Sequence, residues 1–263
     1  RGCRVRVLLD AVGARRLDEE LVEQMSGSGC DVRWFRPVVD DGVPEIGTVN
    51  HRTHRKILVC DSAVGFTGGV GIADEWDGDA RNEREWRDTH LRITGPAVAG
   101  LLAGFIDNWA DEYDDGFEPW AEVPHDGVST GDSTVMVVRG SSETGASEIR
   151  RLMLTFIDGA TERLRIASAY FNPDDRLADA LVRAATRGVE VDVLVPGEHT
   201  DKRFVQLAGE ARYRQLLDGG VRLHAYRTSM MHAKILTVDR RLATVGSANF
   251  NQRSTRHDEE LNV

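Results

Sequence analysis

Two short segments of the sequence carry the same chemically active side chains at the same spacing. Each has a histidine, then a lysine, an aspartate and a glycine: His54, Lys56, Asp61 and Gly68 in the first, and His232, Lys234, Asp239 and Gly246 in the second. Residues two apart on a β-strand point to the same face, so each histidine is predicted to project beside its lysine. An imidazole next to an ammonium group is suited to proton transfer or nucleophilic attack at an anionic group.

The two segments belong to a longer internal repeat. A single His-x-Lys occurs by chance in many sequences, but here residues 1–9 match 187–195, 29–36 match 220–227, and 56–61 match 234–239, in the same order. Two copies in register favour a functional site built from both halves. The alternative is an architectural duplication in which the site is a relic.

The elements that must position these side chains follow from hydrophobic periodicity. Strands with alternating apolar residues are predicted where the repeats match, and helical stretches separate them. In the second half we expect a helix over 147–158, a strand over Leu164–Phe171, a helix over Arg176–Thr186 and a strand over Val189–Val195. Pro96 is expected in the first turn of a helix that buries Trp109. This alternation predicts an α/β fold in which helices cover mixed sheets.

The halves are expected to meet at a connection rich in turn-forming residues. The stretch Asp114–Thr134 contains prolines and glycines, so the two repeats are predicted to occupy residues 1–125 and 131–263. The second half begins with a helix and a strand that have no counterpart in the first. We therefore expect one βα unit of the first repeat, and any targeting or membrane-anchoring segment, to precede Arg1.

Composition excludes several classes of protein. Hydrophobic residues make up 41% and charged residues 29% of the 263, which is typical of a globular domain. The longest weakly charged apolar run, Pro96–Ile106, is about half of the roughly 20 residues that span a bilayer. The three cysteines form neither an even disulfide set nor a metal-ligand pair, so we expect a reducing compartment and no metal or other cofactor. The formal net charge of −10 disfavours nucleic acid as a partner, unless a local basic pocket overrides it.

The double His-Lys-Asp motif resembles that of the phospholipase D superfamily. The surrounding segments 50–57, 66–69, 86–90 and 246–254 are most similar to those of bacterial cardiolipin synthases. The resemblance implies two pseudo-twofold-related lobes that share one active site, and metal-independent transfer of a phosphatidyl group between phospholipid head groups. It also implies a phospholipid substrate, phosphatidylglycerol or similar, with peripheral membrane contact. The location is then the cytoplasm or the surface of the cytoplasmic membrane.

The resemblance also implies a role for each motif residue. One neutral imidazole attacks phosphorus to form a phosphohistidine, while the other protonates the leaving oxygen and then deprotonates the acceptor. Relatives generally use the first-motif histidine as the nucleophile, so attack is assigned to His54 and proton transfer to His232. The groups expected to hold the phosphate are Lys56, Lys234, Ser247 and Asn249.

Four acidic residues have two expected roles. Asp88 and Glu260 lie at matching places downstream of the histidines and are expected to fix the imidazole tautomers, with surface carboxylates as the alternative. In several two-repeat relatives this pairing crosses, so Glu260 would orient His54 and Asp88 would orient His232. The remaining two are motif members expected to brace strands through salt bridges: Asp61 and Asp239.

The first repeat departs from the second at two positions. Gly69 and Gly71 stand where the second repeat has Ser247 and Asn249. Relatives commonly have an asparagine at the position of Gly71, so the two halves of the site are expected to be unequal.

Two other functions stay open at this point. The same two histidines and two lysines would serve any phosphodiester. One alternative is therefore a phosphodiesterase that hydrolyses phospholipid or nucleic acid. The other is a catalytically inactive membrane scaffold, against which the intact motif in both copies argues.

Overall fold

The computed structural model of the protein describes residues 2–37, 39–40, 43–44, 50–113, 131–141, 148–201 and 203–263. The first half contains β1 (Arg6–Asp10), α1 (Glu19–Gly27), β2 (Asp31–Phe35), β3 (Val39–Asp40), β4 (Val43–Pro44), β5 (Ile57–Cys60), β6 (Val64–Gly68), a 3-10 helix (Asp74–Trp76), β7 (His90–Thr94) and α2 (Ala97–Ala110). The second half contains β8 (Val138–Gly140), α3 (Glu148–Gly159), β9 (Arg163–Ser168), α4 (Asp175–Thr186), β10 (Glu190–Pro196), α5 (Arg203–Asp218), β11 (Arg222–Tyr226), β12 (Lys234–Val238), β13 (Leu242–Val245), α6 (Gln252–Arg256) and β14 (Glu260–Asn262).

The second half is built on a mixed five-stranded sheet of order β11-β10-β9-β12-β13. Strand β9 pairs parallel with β10 and antiparallel with β12, which places Lys234 opposite Ser168. The first half has a parallel pair, β1-β2, and an antiparallel sheet of order β5-β6-β7. Helix α2 packs on β5 and β6, and α4 packs on β10. The predicted α/β class with mixed sheets flanked by helices is confirmed, while the pseudo-twofold relation between the lobes stays a prediction.

Helix α4 shows how the sequence produces these elements. The Asp174 carboxylate caps the helix by accepting a hydrogen bond from the Leu177 N–H at 3.0 Å, which satisfies one of the unpaired amides of the first turn. Apolar residues at helical spacing form the buried face, among them Leu177, Leu181 and Ala184. The observed bounds lie within one residue of the predicted Arg176–Thr186, and those of α3 lie within one residue of the predicted 147–158.

The predicted strand Leu164–Phe171 ends earlier than expected, at Ser168. Beyond that residue the chain leaves the β-ladder: the Tyr170 N–H donates to the Asn249 side chain at 3.2 Å and the Asn172 N–H donates to the Phe250 carbonyl at 2.8 Å. These contacts bring residues 170–172 beside the segment that follows β13. Helix α2 agrees with the prediction made from Pro96, because it begins at the next residue and its Trp109 is buried.

The C-terminal strand joins the two halves. Strand β14 pairs antiparallel with β8, and its Leu261 is fully buried against the first-half core of Ile93, Val98 and Leu101. The core of the second half is a separate and larger cluster that surrounds β9, β10 and α4. The last strand of the second half is therefore held in place by apolar contacts of the first half.

The two motif aspartates lie in β-hairpin turns and not beside the histidines. Asp61 and Asp239 both have a φ of 51°, at the ends of β5 and β12. Each lies five residues beyond its lysine, which is about 16 Å along a strand. The length of the strand therefore separates each carboxylate from the lysine of its own motif, and a catalytic role for either aspartate stays a prediction.

The prediction that Asp239 braces strands through a salt bridge is wrong. Its carboxylate accepts hydrogen bonds from the backbone N–H groups of Thr161, Glu162 and Arg163 at 2.7–2.9 Å and from the Thr161 hydroxyl at 2.8 Å. These donors hold the pKa of Asp239 below its usual range. Asp239 thus anchors the start of β9 through the backbone, whereas no described residue donates to the Asp61 carboxylate.

The first-half sheets have open edges where the second-half sheet is filled. Within the described ranges β1 pairs only with β2 and β5 only with β6, whereas their counterparts β10 and β12 both flank β9. Leu58 in β5 is accordingly 56% exposed, and the corresponding Leu236 in β12 is 1% exposed. The expectation that a βα unit precedes Arg1 stays a prediction.

The predicted connection Asp114–Thr134 lies largely outside the described residues, and so does the predicted boundary between 1–125 and 131–263. Among the helices that are described, none is long and apolar enough to cross a bilayer.

The Asp239 anchor yields a comparison between two equivalent substitutions. Asp239→Asn should lower the melting temperature by a few degrees, because an amide replaces the charged acceptor of three backbone N–H groups. Asp61→Asn is the matched control and should leave the melting temperature unchanged, since asparagine tolerates the same positive φ. Equal melting temperatures for both variants, measured by circular dichroism, would contradict the anchoring role.

Candidate active site

His54 is positioned by backbone pairing with the C-terminal segment. Its N–H donates to the Glu259 carbonyl at 2.9 Å, and the Glu259 N–H donates to the Arg52 carbonyl at 2.8 Å. This exchange sets Glu260 beside the imidazole, with His54 Nδ1 at 3.1 Å from Oε2 and 3.2 Å from Oε1. Glu260 is fully buried, so its carboxylate is committed to this contact.

His232 is positioned by the same device with the halves exchanged. Its N–H donates to the Arg87 carbonyl at 2.7 Å, and the Arg87 N–H donates to the Met230 carbonyl at 2.8 Å. The next residue, Asp88, then lies with Oδ2 at 2.7 Å from His232 Nδ1. Both crossed pairs expected from the sequence are therefore present as hydrogen bonds.

These pairs determine which ring nitrogen carries the proton. A carboxylate at Nδ1 requires an N–H there, which places the lone pair of each neutral ring on Nε2. Burial of both rings, reinforced by the nearby lysines, lowers the pKa of His54 and lowers that of His232 to about 3, against the opposing effect of the carboxylates. Both imidazoles are thus neutral at pH 7 and have the form that a nucleophile or a general base requires.

The two lysines connect the halves electrostatically. Besides the larger effect of burial, Lys234 lowers the pKa of His54 and Lys56 lowers that of His232, so each lysine acts electrostatically on the histidine of the other half. Lys56 Nζ donates to the His54 carbonyl at 2.8 Å. Lys234 Nζ donates to the His232 carbonyl and lies 3.1 Å from His232 Nε2. It also lies 2.7 Å from Nδ1, but that nitrogen donates to Asp88, so Nε2 is the atom that accepts from the lysine.

Burial also changes the charge of the lysines. It lowers the pKa of Lys56 from its ordinary value and lowers that of Lys234 to about 7, where Asp88 opposes the shift and Lys56 adds to it. Burial would raise the pKa of both carboxyl groups, but the histidine donors and, at Asp88, Lys234 keep each pKa below its usual range. The site at neutral pH therefore holds two carboxylates beside two neutral imidazoles.

The two expected phosphate ligands of the second half are engaged with the protein itself. The Ser247 hydroxyl is fully buried and donates to Glu260 Oε2. Asn249 accepts from the Tyr170 N–H at 3.2 Å through Oδ1 and borders the cavity beside His54. Ser247 in this arrangement supports the partner of His54, and phosphate contact by either residue stays a prediction.

A cavity of about 380 Å³ opens beside His54 and is lined by polar residues, through both their polar groups and their carbon atoms. The lining residues are His54, Tyr170, Asn172, Asn249, Asn251, Gln252, Arg253, Ser254 and Asp258. Among these residues, the sequence predicted a role in the reaction only for His54 and Asn249. Asp258 is 7% exposed and accepts from Arg253 Nε at 2.9 Å, and burial together with Glu260 raises its pKa to about 7. Tyr170 donates its hydroxyl proton to the Asp201 carboxylate, with 2.7 Å to Oδ2 and 2.8 Å to Oδ1.

Aromatic rings surround the other histidine. Trp76 and Trp86 each lie 5.2 Å from the His232 ring, centroid to centroid, and Tyr170 lies 6.1 Å away. The two tryptophans also border a cavity of about 280 Å³ that includes Val70, Arg87 and Asp88. Sequence reasoning missed both rings, because neither has a counterpart in the second repeat; the closeness of Trp86 to Asp88 in the sequence was the available signal.

The hydrogen bonds predict the state of each imidazole in solution. At pH 7 both rings should be neutral and protonated at Nδ1, as read from long-range ¹H–¹⁵N correlations of the ring nitrogens. Asp88→Asn should weaken this preference in His232 and leave His54 unchanged, and Glu260→Gln should do the reverse. A cationic ring at either position in the wild-type protein at pH 7 would contradict the pKa directions given above.

Comparisons with known proteins agree with this geometry. Residues 153–263 match the family model described as cardiolipin synthase, PLD-like domain. The chain is 36% identical to cardiolipin synthase of Alkalihalophilus pseudofirmus and 35% identical to that of Geobacillus kaustophilus, over 100% of this chain and 52% of each relative. The chain thus spans about half the length of the curated relatives it matches.

A solved structure supports the fold independently. Phosphatidylserine synthase of Haemophilus influenzae aligns with 100% of this chain and 77% of its own, with a TM-score of 0.58 and 16% sequence identity. That identity is too low to transfer an activity, so the likeness concerns the fold. The duplicated motif, the crossed pairs and the sequence relatives together make the chain similar to the bacterial cardiolipin synthases, and residues 153–263 match their PLD-like domain.

Proposed function

We propose that the protein is a phosphatidyltransferase of the cardiolipin synthase type that works through a phosphohistidine. The observation that carries the proposal is the pair of buried carboxylate–imidazole contacts, each joining one half to the other and each placing the ring proton on Nδ1. Two such imidazoles with two lysines supply a nucleophile, a proton carrier and positive charge, which are the groups that phosphodiester transfer needs. The curated relatives that the chain matches bear the name cardiolipin synthase.

In the first step His54 Nε2 attacks phosphorus. The N–P bond forms as the P–O bond to the leaving alkoxide breaks, and His232 donates the proton that makes the leaving group an alcohol. His232 is neutral in the free protein because its pKa is about 3. A bound phosphodiester anion favours the imidazolium and therefore raises that pKa, so that substrate binding loads the proton.

In the second step His232 acts as a base. It takes the proton of the acceptor hydroxyl, the oxygen attacks phosphorus, and the N–P bond to His54 breaks. Each step inverts phosphorus, so the overall transfer proceeds with retention. Glu260 and Asp88 hold the rings throughout and stabilise the cation when it forms, as the carboxylate of a hydrolase triad does.

Lys56 and Lys234 are assigned to the nonbridging oxygens. Negative charge accumulates there as phosphorus becomes five-coordinate, and fixed ammonium groups in a buried site stabilise it more strongly than in water. Asn249, at the border of the cavity beside His54, is the remaining candidate for phosphate contact.

The proposed substrate is phosphatidylglycerol or a similar phospholipid. The polar cavity beside His54 suits a head group with several hydroxyls, because its amides, Arg253 and Asp258 offer donors and acceptors. The proposed location is the cytoplasm or the surface of the cytoplasmic membrane, where the protein would meet a lipid substrate by peripheral contact.

Hydrolysis is the second candidate. The His54 side chain is 29% exposed and borders a polar cavity, so water is able to replace the acceptor alcohol. Phospholipid is favoured over nucleic acid as the hydrolysed substrate, because the curated relatives that the chain matches bear the name cardiolipin synthase. The net charge of −10 does not separate the two, since it repels anionic membranes as well as polyanions.

The covalent step is tested by separating attack from protonation. In the His232→Ala protein, His54 should still attack bis(4-nitrophenyl) phosphate, because its nitrophenolate leaving group departs without a proton. The adduct should then persist, because the base that activates the acceptor is absent. Intact mass should show one nitrophenyl phosphate per chain, mapped to His54 by peptide analysis.

His54→Ala is the matched control for this experiment and should form no adduct. An adduct on His232 in the His54→Ala protein would reverse the assignment of the two histidines. No adduct in either variant would count against covalent catalysis.

The lysine charge predicts the alkaline side of the pH profile. The pKa of Lys234 is about 7, below its usual value, so its ammonium is present below pH 7 and lost above it. Loss of this charge should therefore add a decline of about tenfold per pH unit to kcat/KM for transfer from phosphatidylglycerol vesicles above this point, beyond the effect of the low pKa of His232. Lys234→Arg should be slower at pH 6 but should lack the decline, because guanidinium stays charged.

The pKa of Asp258 is also about 7 and requires a control. Asp258→Asn should retain the alkaline decline if Lys234 causes it. A decline that persists in Lys234→Arg and disappears in Asp258→Asn would assign the titration to the aspartate.

A further inference from the structure

We propose that Trp76 is a positioning residue for His232, acting through Asp88: its indole N–H holds the carboxylate that orients the imidazole. This inference rests on the proposed function, because it names a further component of the same site. Its evidence is a hydrogen bond, a ring contact and the pattern of glycines in the first repeat.

The hydrogen bond places Trp76 directly on the partner of His232. Trp76 Nε1 donates to Asp88 Oδ2 at 3.0 Å, and the same oxygen accepts from His232 Nδ1 at 2.7 Å. The other oxygen, Oδ1, accepts from the Thr89 N–H at 2.7 Å. Three donors therefore fix the plane of the carboxylate, and without the indole one of the two donors to Oδ2 would be lost.

The ring of Trp76 also packs against the imidazole. Its plane is inclined 83° to that of His232 at a centroid distance of 5.2 Å, an edge-to-face contact, and it meets Trp86 at 4.7 Å. The side chains of Asp88 and His232 are 1% and 7% exposed. Water therefore has little access as a substitute donor to Asp88, which makes the indole N–H the available partner.

The backbone holds the tryptophan in this position. Trp76 ends the short 3-10 helix, and the Trp86 N–H donates to the carbonyl of its neighbour Glu75 at 2.6 Å. This hydrogen bond closes the loop of residues 77–85 at its base, two residues before Asp88. One backbone hydrogen bond thus couples the position of the indole to that of the carboxylate.

The second half has the same arrangement with a different donor. There the Ser247 hydroxyl donates to Glu260, the partner of His54. The first-repeat counterpart of Ser247 is Gly69, where an added Cβ would lie 2.2 Å from Asp88 Oδ1. A serine does not fit at that position, so the second donor to Asp88 has to come from elsewhere in the chain.

The second glycine makes room for that donor. Gly71 is the counterpart of Asn249, and a Cβ there would lie 3.0 Å from the Trp76 ring. The two departures of the first repeat therefore have one physical explanation. Glycine at 69 admits the Asp88 carboxylate, and glycine at 71 admits the indole that donates to it.

The test compares Trp76→Phe with wild type in transfer from phosphatidylglycerol. Phenylalanine keeps an aromatic ring against His232 and removes the N–H together with one ring of the indole, a loss of volume that the control below also contains. Loss of one hydrogen bond to a buried carboxylate should lower kcat about tenfold, while KM changes less than about twofold because Trp76 holds no phosphate. Trp34→Phe is the matched control outside the site and should leave both constants unchanged.

A double-mutant cycle shows whether Trp76 acts through Asp88. In an Asp88→Ala background the indole has no carboxylate to hold, so adding Trp76→Phe should cause less than about a twofold further loss. Independent, multiplying losses would overturn the proposal. Should Trp76→Phe fail to fold, Gly71→Ala tests the same contact by displacing the ring, and a kcat equal to that of wild type would overturn it.

An activity-independent measurement separates this inference from the proposed function. Long-range ¹H–¹⁵N spectra of His232 should show a smaller Nδ1–H population in Trp76→Phe than in wild type, while His54 is unchanged. An unaltered His232 ring would overturn the positioning role. A protein without transferase or hydrolase activity that shows the tautomer change would refute the proposed function and leave the positioning contact supported.

Discussion

The site depends on the burial of two carboxylates, each of which takes its imidazole from the opposite half of the chain. Glu260 is fully buried and the Asp88 side chain is 1% exposed. An ionised carboxylate at such depth is stable only if donors replace its water, and the histidines are among those donors. Neither half alone provides both members of a pair. The carboxylate–imidazole pairs therefore form only when the two halves pack together.

The backbone explains why the pairs cross. Short parallel bridges join Thr53 to Glu259 and Arg87 to Met231, so each histidine segment is paired with a segment of the other half. Strand β14 then continues into the first-half core through Leu261, which anchors Glu260 from its other side. Burial of the pairs has a functional consequence, because it keeps the imidazoles neutral and lowers the pKa of both lysines. A looser junction would return these groups to their solution charges.

The sequence predicted the features that the internal repeat shows in both halves. Matching strands, the two His-Lys pairs and the matching places of Asp88 and Glu260 could all be derived by comparing one half with the other. The repeat carries no information on what only one half contains, so Trp76 and Asp258 were missed. Asp239 was misread for a different reason: its partners are backbone N–H groups, which have no signature in the sequence. The early end of β9 at Ser168 likewise depends on tertiary contacts with Asn249 and Phe250.

A duplicated motif begins with two equivalent histidines, whereas the proposed transfer needs one to attack and one to carry protons. The structure makes them unequal through the residues around them and not through the motif. His232 is 7% exposed among aromatic rings, and His54 is 29% exposed beside a polar cavity. The glycines at 69 and 71 create part of this difference, because they exchange two polar side chains for a carboxylate and an indole packed on His232. The positions at which the first repeat departs from the second are therefore among those that make the two histidines inequivalent.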